Sequence, residues 1–325
     1  MNVSVIVPIY GVDKYLEKFL DCLLSQNIQS AEFILINDAS EDNCSIIIER
    51  YLHDKRIVYL NKKVNEGLYK ARQDGYDIST GDYVINVDPD DILSPNFLDD
   101  LYQMAKQNSL DIVVSNILLI DDNGNDIHSK KSNYHKENII FDDKNIAEIL
   151  GLPYATWCRM FKRELIDKFG YKYRQGELFL SSFHFVKNVK SGLNSKATYY
   201  YRQRTDSMSA VNNSSKRLSN SISEESLLTT LENDLAFEAF IADKDAFKLY
   251  KFINVAKLIF VSCISNGDLT TYKKHISIIK KGYSINKVNL FCKIKYLNFE
   301  TKIFTGLIIC GLSSLFLAIR YRMSK

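Results

Sequence analysis

Proline is scarce in this chain, with only four in 325 residues. The six cysteines, Cys22, Cys44, Cys158, Cys263, Cys292 and Cys310, are scattered and include no C-x-x-C pair. The first absence leaves no room for Pro-rich linkers, and no low-complexity tract or internal repeat is visible. The second argues against a zinc site or a disulfide framework and fits a reducing compartment. The opening "MNVSVIVPIY" lacks a basic n-region, so no signal peptide is read there. No G-x-G-x-x-G follows the first apolar run, only "PIYGVDKY", so a dinucleotide fingerprint is missing. No G-x-x-x-x-G-K-S/T occurs either, which excludes a P-loop.

What is present is a globular composition, 46% hydrophobic and 25% charged, on a chain long enough for one large domain or two smaller ones. A net charge of +3 hides an asymmetry. From Leu269 onward eleven Lys or Arg face one acid, Glu300, whereas the rest of the chain carries 31 basic and 38 acidic residues. A basic tail behind an acidic body seeks an anionic partner. That tail contains "IFTGLIICGLSSLFLAI", residues 303–319, without a charge, followed by Arg320, Arg322 and Lys325. The run is short for a span of about 20 residues. A span, an interfacial anchor and a buried helix all remain open, with the flanking cations favouring the cytoplasmic face of a membrane. Cations around an apolar run, without interleaved aromatics, do not suit nucleic acid.

The first hundred residues alternate between two periods. "VSVIVPI" is a continuous apolar, β-branched run of the kind that a strand covered on both faces requires, and "EFILIND", "RIVYLN" and "YVINV" read as further strands. Between them Leu16, Phe19, Leu20, Leu23 and Leu24 recur at helical spacing; "NCSIIIERYL" and Leu68 to Ile78 also read as helices. Pro95 opens a fourth helix, and "DIVVSNILLI" is a fifth strand ending in the Asn-Gly turn of "DDNGND". Strands and helices in alternation give an α/β fold with a mostly parallel sheet flanked by helices. Ligands of such sheets gather at the carboxyl ends of the strands. Pro8 and Tyr10, Asp38, Asn65 to Gly67, and Asp88 to Asp91 all fall on that edge.

Three carboxylates, Asp88, Asp90 and Asp91, crowd the end of "YVINVDPDD". Like charges that close raise one another's pKa unless something positive sits among them. Either they cap the next helix, or they hold a hard divalent metal, Mn²⁺ or Mg²⁺. Their shared edge with the other polar clusters favours the metal, assisted by Arg72, and a nucleotide diphosphate bound through it.

The blocks "SVIVPIYGVDKYLEKFLDCLLSQ", "EFILINDASED", "NEGLYKARQDGYDISTGDYVINVDPDD" and "ATWCRMFKRELI" resemble, in order, those of family 2 glycosyltransferases with the GT-A fold. The resemblance covers roughly residues 1–205. It implies an inverting, metal-dependent transfer of a sugar from a nucleotide-sugar donor, usually a UDP-sugar. The implied acceptor is a glycan or lipid-linked molecule of bacterial capsule, exopolysaccharide or lipopolysaccharide, at the cytoplasmic face of the membrane, with the protein peripheral or C-terminally anchored. By position, Asp38 matches the acid that contacts the nucleotide base, and Pro8 and Tyr10 the segment that wraps base and ribose. Arg72 matches an arginine placed toward the diphosphate. Asp88 and Asp90 match the D-x-D motif, Asp90 being the direct metal ligand and Asp91 an outer support or helix cap. Gly67 and Gly81 are turn glycines, and Trp157 belongs to a block that borders the acceptor, where it either stacks on a sugar or closes the core.

The pattern breaks at the general base. The family has an acid pair, E-D-x-x-F, shortly before the "YYYR" block; aligning its aromatic with Phe185 puts Ser181 and Ser182 where the acids belong. A serine hydroxyl cannot serve as that base. Glu177 upstream and His184 are the replacement candidates. The alternative is a catalytically degenerate member acting as a scaffold in a glycan-assembly complex. Gly11 and Asn37 also depart from the family pattern. The expected organisation is a transferase domain over 1–205, a helical region over 206–300 and the basic, apolar membrane-anchoring tail over 301–325.

Overall fold

The computed structural model describes residues 1–28, 30–127, 135–142, 146–204, 223–264, 269–284 and 308. They fall into two compact units. The first comprises 1–141, 155–184 and 189–204; the second, 142–154, 185–188 and 205–325.

The first unit opens with β1 (Val3–Ile9), α1 (Asp13–Leu24), β2 (Ala31–Asn37), α2 (Cys44–Glu49), β3 (Ile57–Asn61), α3 (Leu68–Ile78) and β4 (Tyr83–Asn86). β1 and β2 are buried at every position, so their runs are apolar apart from Ser4, Glu32 and Asn37, and the Ser4 hydroxyl donates to Glu32 at 2.6 Å. Each fully buried Val or Ile there contributes about 1.5–3 kcal/mol from its removal from water. α1 turns Leu16, Phe19, Leu20 and Leu23 inward, as their spacing requires. These strands pair in parallel in the order β3-β2-β1-β4. Pro8 lies beyond the last pairing of β1 with β4, Ile6 opposite Asn86, so its missing N–H costs no ladder bond on that side.

β5 (Ile92–Leu93), α4 (Phe97–Asn108), β6 (Ile112–Ile120) and β7 (Ile139–Ile140) follow. After α5 (Ile146–Gly151) come β8 (Arg159–Lys162), α6 (Arg163–Lys168), α7 (Glu177–Ser181) and β9 (Ser191–Arg202). They extend the sheet as β4-β8-β6-β9-β5. The parallel character expected of the sheet holds in its first half. Beyond β4 it is mixed, because β8 runs antiparallel to both β4 and β6 while β6 and β9 are parallel. The Asn-Gly turn forms as read: Gly124 sits at φ 91°, and Ile120 bridges Asp126.

α5 belongs to the second unit, with α8 (Glu224–Phe237), α9 (Lys244–Ile264) and α10 (Leu269–Gly282). These long helices are tied by a buried knot. Asp234 of α8 accepts the Tyr283 hydroxyl at 2.6 Å and pairs with Lys251 of α9 at 2.7 Å. Among the described residues no helix is long and apolar enough to cross a membrane. The tail over 301–325 lies outside the described residues apart from Ile308.

Candidate active site

The strand order reverses direction about β1: β2 and β3 lie on one side of it and β4 on the other. Such a switch point leaves a crevice at the carboxyl ends of the strands, where open α/β sheets bind ligands. Here it is bordered by Tyr10 after β1, Asp38 after β2 and Asp88 after β4. Tyr10 is 52% exposed, so its ring face is available there.

Asp88, Asp90 and Asp91 do not cap α4, whose N-cap is Asn96. They form a turn closed by Asp91 N–H donating to the Asp88 carbonyl at 3.2 Å. The pairing of β5 with β9, Ile92 opposite Tyr200, lays this turn against the end of β9. Asp91 is buried there, accepting the Tyr199 hydroxyl at 2.7 Å and the Arg202 N–H at 2.7 Å. Burial, then Asp90 and Asp88, push its carboxyl well above the usual range. Asp90 is also raised, by burial and by Asp88, with Arg204 opposing. Arg204 Nε stands 3.1 Å from Asp90 Oδ2, and Arg202 Nε donates to the Asp90 carbonyl at 2.6 Å.

Asp88 faces a different cation. Arg72 Nη2 donates to its Oδ1 at 2.9 Å, while Arg72 Nη1 donates to Glu177 Oε1. Glu177 also accepts from Thr156 Oγ1 at 3.3 Å. Arg72 itself is 1% exposed. Burial alone would lower its pKa, but Asp88 and Glu177 overcome that and hold it above its ordinary value. One fixed guanidinium therefore brings together two carboxylates 89 positions apart in the chain.

Asp38 is occupied with its own loop. It accepts the Gly67 N–H at 2.7 Å and the Glu66 N–H at 3.2 Å, and pairs with Lys62 at 2.7 Å. Lys62 also reaches Glu66 and Asp74. Gly67, at φ 90°, adopts the backbone conformation this latch needs, which side chains with a Cβ rarely adopt.

His184 lies elsewhere in the unit, buried, its Nε2 accepting from Arg159 Nε at 3.2 Å. Burial and the Arg159 charge hold its pKa well below the ordinary value. Ser181 and Ser182 are both buried; their hydroxyls bond back to the Leu178 and Phe179 carbonyls one turn earlier. Trp157 packs on Tyr201, ring centroids 4.8 Å apart and nearly parallel, and lies 4.5 Å from the Tyr199 ring. The second contact backs the ring whose hydroxyl bonds to Asp91 and to the Asp88 N–H.

Among the described residues no three His, Cys, Asp or Glu side chains converge as a ready-made metal cage. Asp88 and Asp90 offer two hard oxygen donors from one turn. Mg²⁺ is commonly held by one or two carboxylates, with substrate phosphates and water completing its shell. That donor set fits a metal that arrives with a diphosphate.

The family model described as "Glycosyl transferase family 2" matches residues 4–170, the span that builds this crevice. The chain belongs to that family. As a family 2 glycosyltransferase it is 25% identical to Glycosyltransferase GlyG of Streptococcus pneumoniae over 221 residues, 63% of this chain and 72% of that one. It is 30% identical to the minor teichoic acid biosynthesis protein GgaB of Bacillus subtilis over 215 residues, 64% of this chain but 24% of that one. The crystal structure of S. aureus TarS 1-349 in complex with UDP-GlcNAc superposes with a TM-score of 0.66 at 15% identity, covering 100% of this chain and 93% of that one. That likeness concerns the fold.

Tyr199, Arg202 and Arg204 are site residues that sequence reasoning missed. The available signal was "YYYRQR" itself, two cations at and just beyond the end of a strand.

Proposed function

We propose that this family 2 glycosyltransferase is an inverting enzyme that moves a sugar from a UDP-sugar to a glycan or lipid-linked acceptor in bacterial surface polysaccharide or teichoic acid assembly. The observation that carries this reading is the Arg72 bridge, which ties Asp88 at the donor edge to Glu177. Asp88 and Asp90 hold Mn²⁺ or Mg²⁺. When bound, the metal neutralises the diphosphate as leaving group. Tyr10 offers its exposed face to the base, and Asp38 holds the loop of Glu66 and Gly67 against it.

Glu177 is the general base. Its side chain is 16% exposed, so an acceptor hydroxyl can reach it, and Arg72 and Thr156 fix its orientation. It takes the hydroxyl proton as the acceptor oxygen attacks the anomeric carbon. The bond to the diphosphate breaks on the opposite face, and the diphosphate leaves with the electron pair. His184 does not serve this role, being buried and committed to Arg159, and the Ser181 and Ser182 hydroxyls are committed to their own helix. The basic tail over 301–325 supports attachment to an anionic cytoplasmic membrane surface. TarS, crystallised with UDP-GlcNAc, makes that the first donor to try.

The test is Glu177→Gln assayed with UDP-GlcNAc and other UDP-sugars. Turnover falls by about 10²–10⁴-fold, the typical contribution of a positioned base, while UDP affinity stays near wild type. Undiminished turnover assigns the base elsewhere.

A further inference from the structure

Arg202 and Arg204 leave the end of β9 together, and both guanidinium groups stack on the Tyr15 ring, each 5.2 Å from its centroid. Their commitments differ. Arg202 donates to three carbonyls, those of Asp90 at 2.6 Å, Asp121 at 3.2 Å and Asp122 at 2.7 Å, and so fastens the acidic turn to the turn after β6. Arg204 instead faces a carboxylate, Oδ2 of Asp90 at 3.1 Å, with both side chains partly open to solvent. Asp90 is the residue assigned above as a metal ligand. A guanidinium and a divalent cation cannot share one carboxylate face without strong like-charge repulsion.

We propose that Arg204 holds the cation position on Asp90 in the free chain, yields it to the metal, and turns to the donor's diphosphate. The proposal rests on the metal reading of Asp88 and Asp90. Tyr15 supplies the pivot. Its hydroxyl is anchored to Asp122 at 2.5 Å, so its ring stays in place while the guanidinium swings across it. The diphosphate that comes with the metal is a suitable second partner, because the planar fork of arginine matches phosphate oxygens in pairs. The exchange makes metal and nucleotide bind together: the free chain resists the metal alone, and the displaced arginine rewards the nucleotide.

The experiment is a titration of Mn²⁺ alone, followed by electron paramagnetic resonance, on wild type, Arg204→Ala, Arg204→Gln and Asp90→Asn. UDP is then titrated in the presence of saturating Mn²⁺. Removing the competing cation tightens Mn²⁺ binding about tenfold, the scale of a charged hydrogen bond, in both Arg204 variants. The same variants bind UDP about tenfold more weakly. Mn²⁺ binding that depends on Asp90 but is equal or weaker in both Arg204 variants overturns the exchange while leaving the metal site intact. Tighter Mn²⁺ with unchanged UDP affinity overturns the turn toward diphosphate. Mn²⁺ binding that is indifferent to Asp90→Asn in every background overturns the metal reading and the exchange with it.

Discussion

The Tyr199 hydroxyl donates to Asp91 Oδ2 across 2.7 Å and accepts the Asp88 N–H at 3.1 Å. One buried phenol thus fixes both ends of the acidic turn, and Trp157 and Phe97 pack against its ring. Tyr199→Phe keeps the ring and removes the hydroxyl. It leaves a buried carboxylate short of a donor, at a cost of about 1–3 kcal/mol. The melting temperature falls accordingly, and UDP affinity weakens because the turn loses its clamp. A variant with both quantities unchanged contradicts this role.

Arg72 stands between Asp88 and Glu177 with almost no solvent access. Arg72→Met strands two partly buried carboxylates, and breaking such a pair costs about 3–5 kcal/mol. Urea unfolding reads the loss as a shift in midpoint. Arg72→Lys, with a single ammonium in place of a fork, satisfies one carboxylate and recovers part of the loss. Full recovery by lysine contradicts the bridging geometry.

The neutral state of His184 makes stability depend on pH with a definite sign. Burial and Arg159 hold its folded pKa well below the ordinary 6.5. The unfolded chain therefore binds more protons at this ring, and folding loses stability as pH falls below about 6.5. The loss is at most about 1.4 kcal/mol per pH unit for one proton. Melting curves from pH 7 to pH 5 compare wild type with His184→Gln, whose amide oxygen can still accept from Arg159. The wild-type curve is the steeper. Parallel curves mean that His184 does not titrate as described.

The first four strands and helices were legible because their burial is written in local periods. α3 spans Leu68–Ile78, the stretch its pattern marked, and the polar clusters share the strand edge that the alternation implied. The direction of β8 was not legible. It is decided by pairing with β4 and β6, whose residues are far away in the chain. The same limit hid Arg204 beside Asp90 and Arg72 beside Glu177, since a charge pair between distant segments leaves no periodic trace. Aligning the base motif on Phe185 drew attention to Ser181 and Ser182, whereas the carboxylate beside Arg72 is four residues upstream of Ser181. The family resemblance implies that Asp38 contacts the nucleotide base. Its hydrogen bonds from the Glu66 and Gly67 N–H groups show that it builds the loop, a duty that no motif encodes.

The most direct test of the donor site is calorimetric titration of UDP into wild type, Glu177→Gln and Asp90→Asn, each with Mn²⁺ and then with EDTA. The account predicts Mn²⁺-dependent binding in wild type and Glu177→Gln, abolished by EDTA and by Asp90→Asn. Binding that survives EDTA, or that Asp90→Asn leaves intact, would contradict a diphosphate held through a metal on the acidic turn.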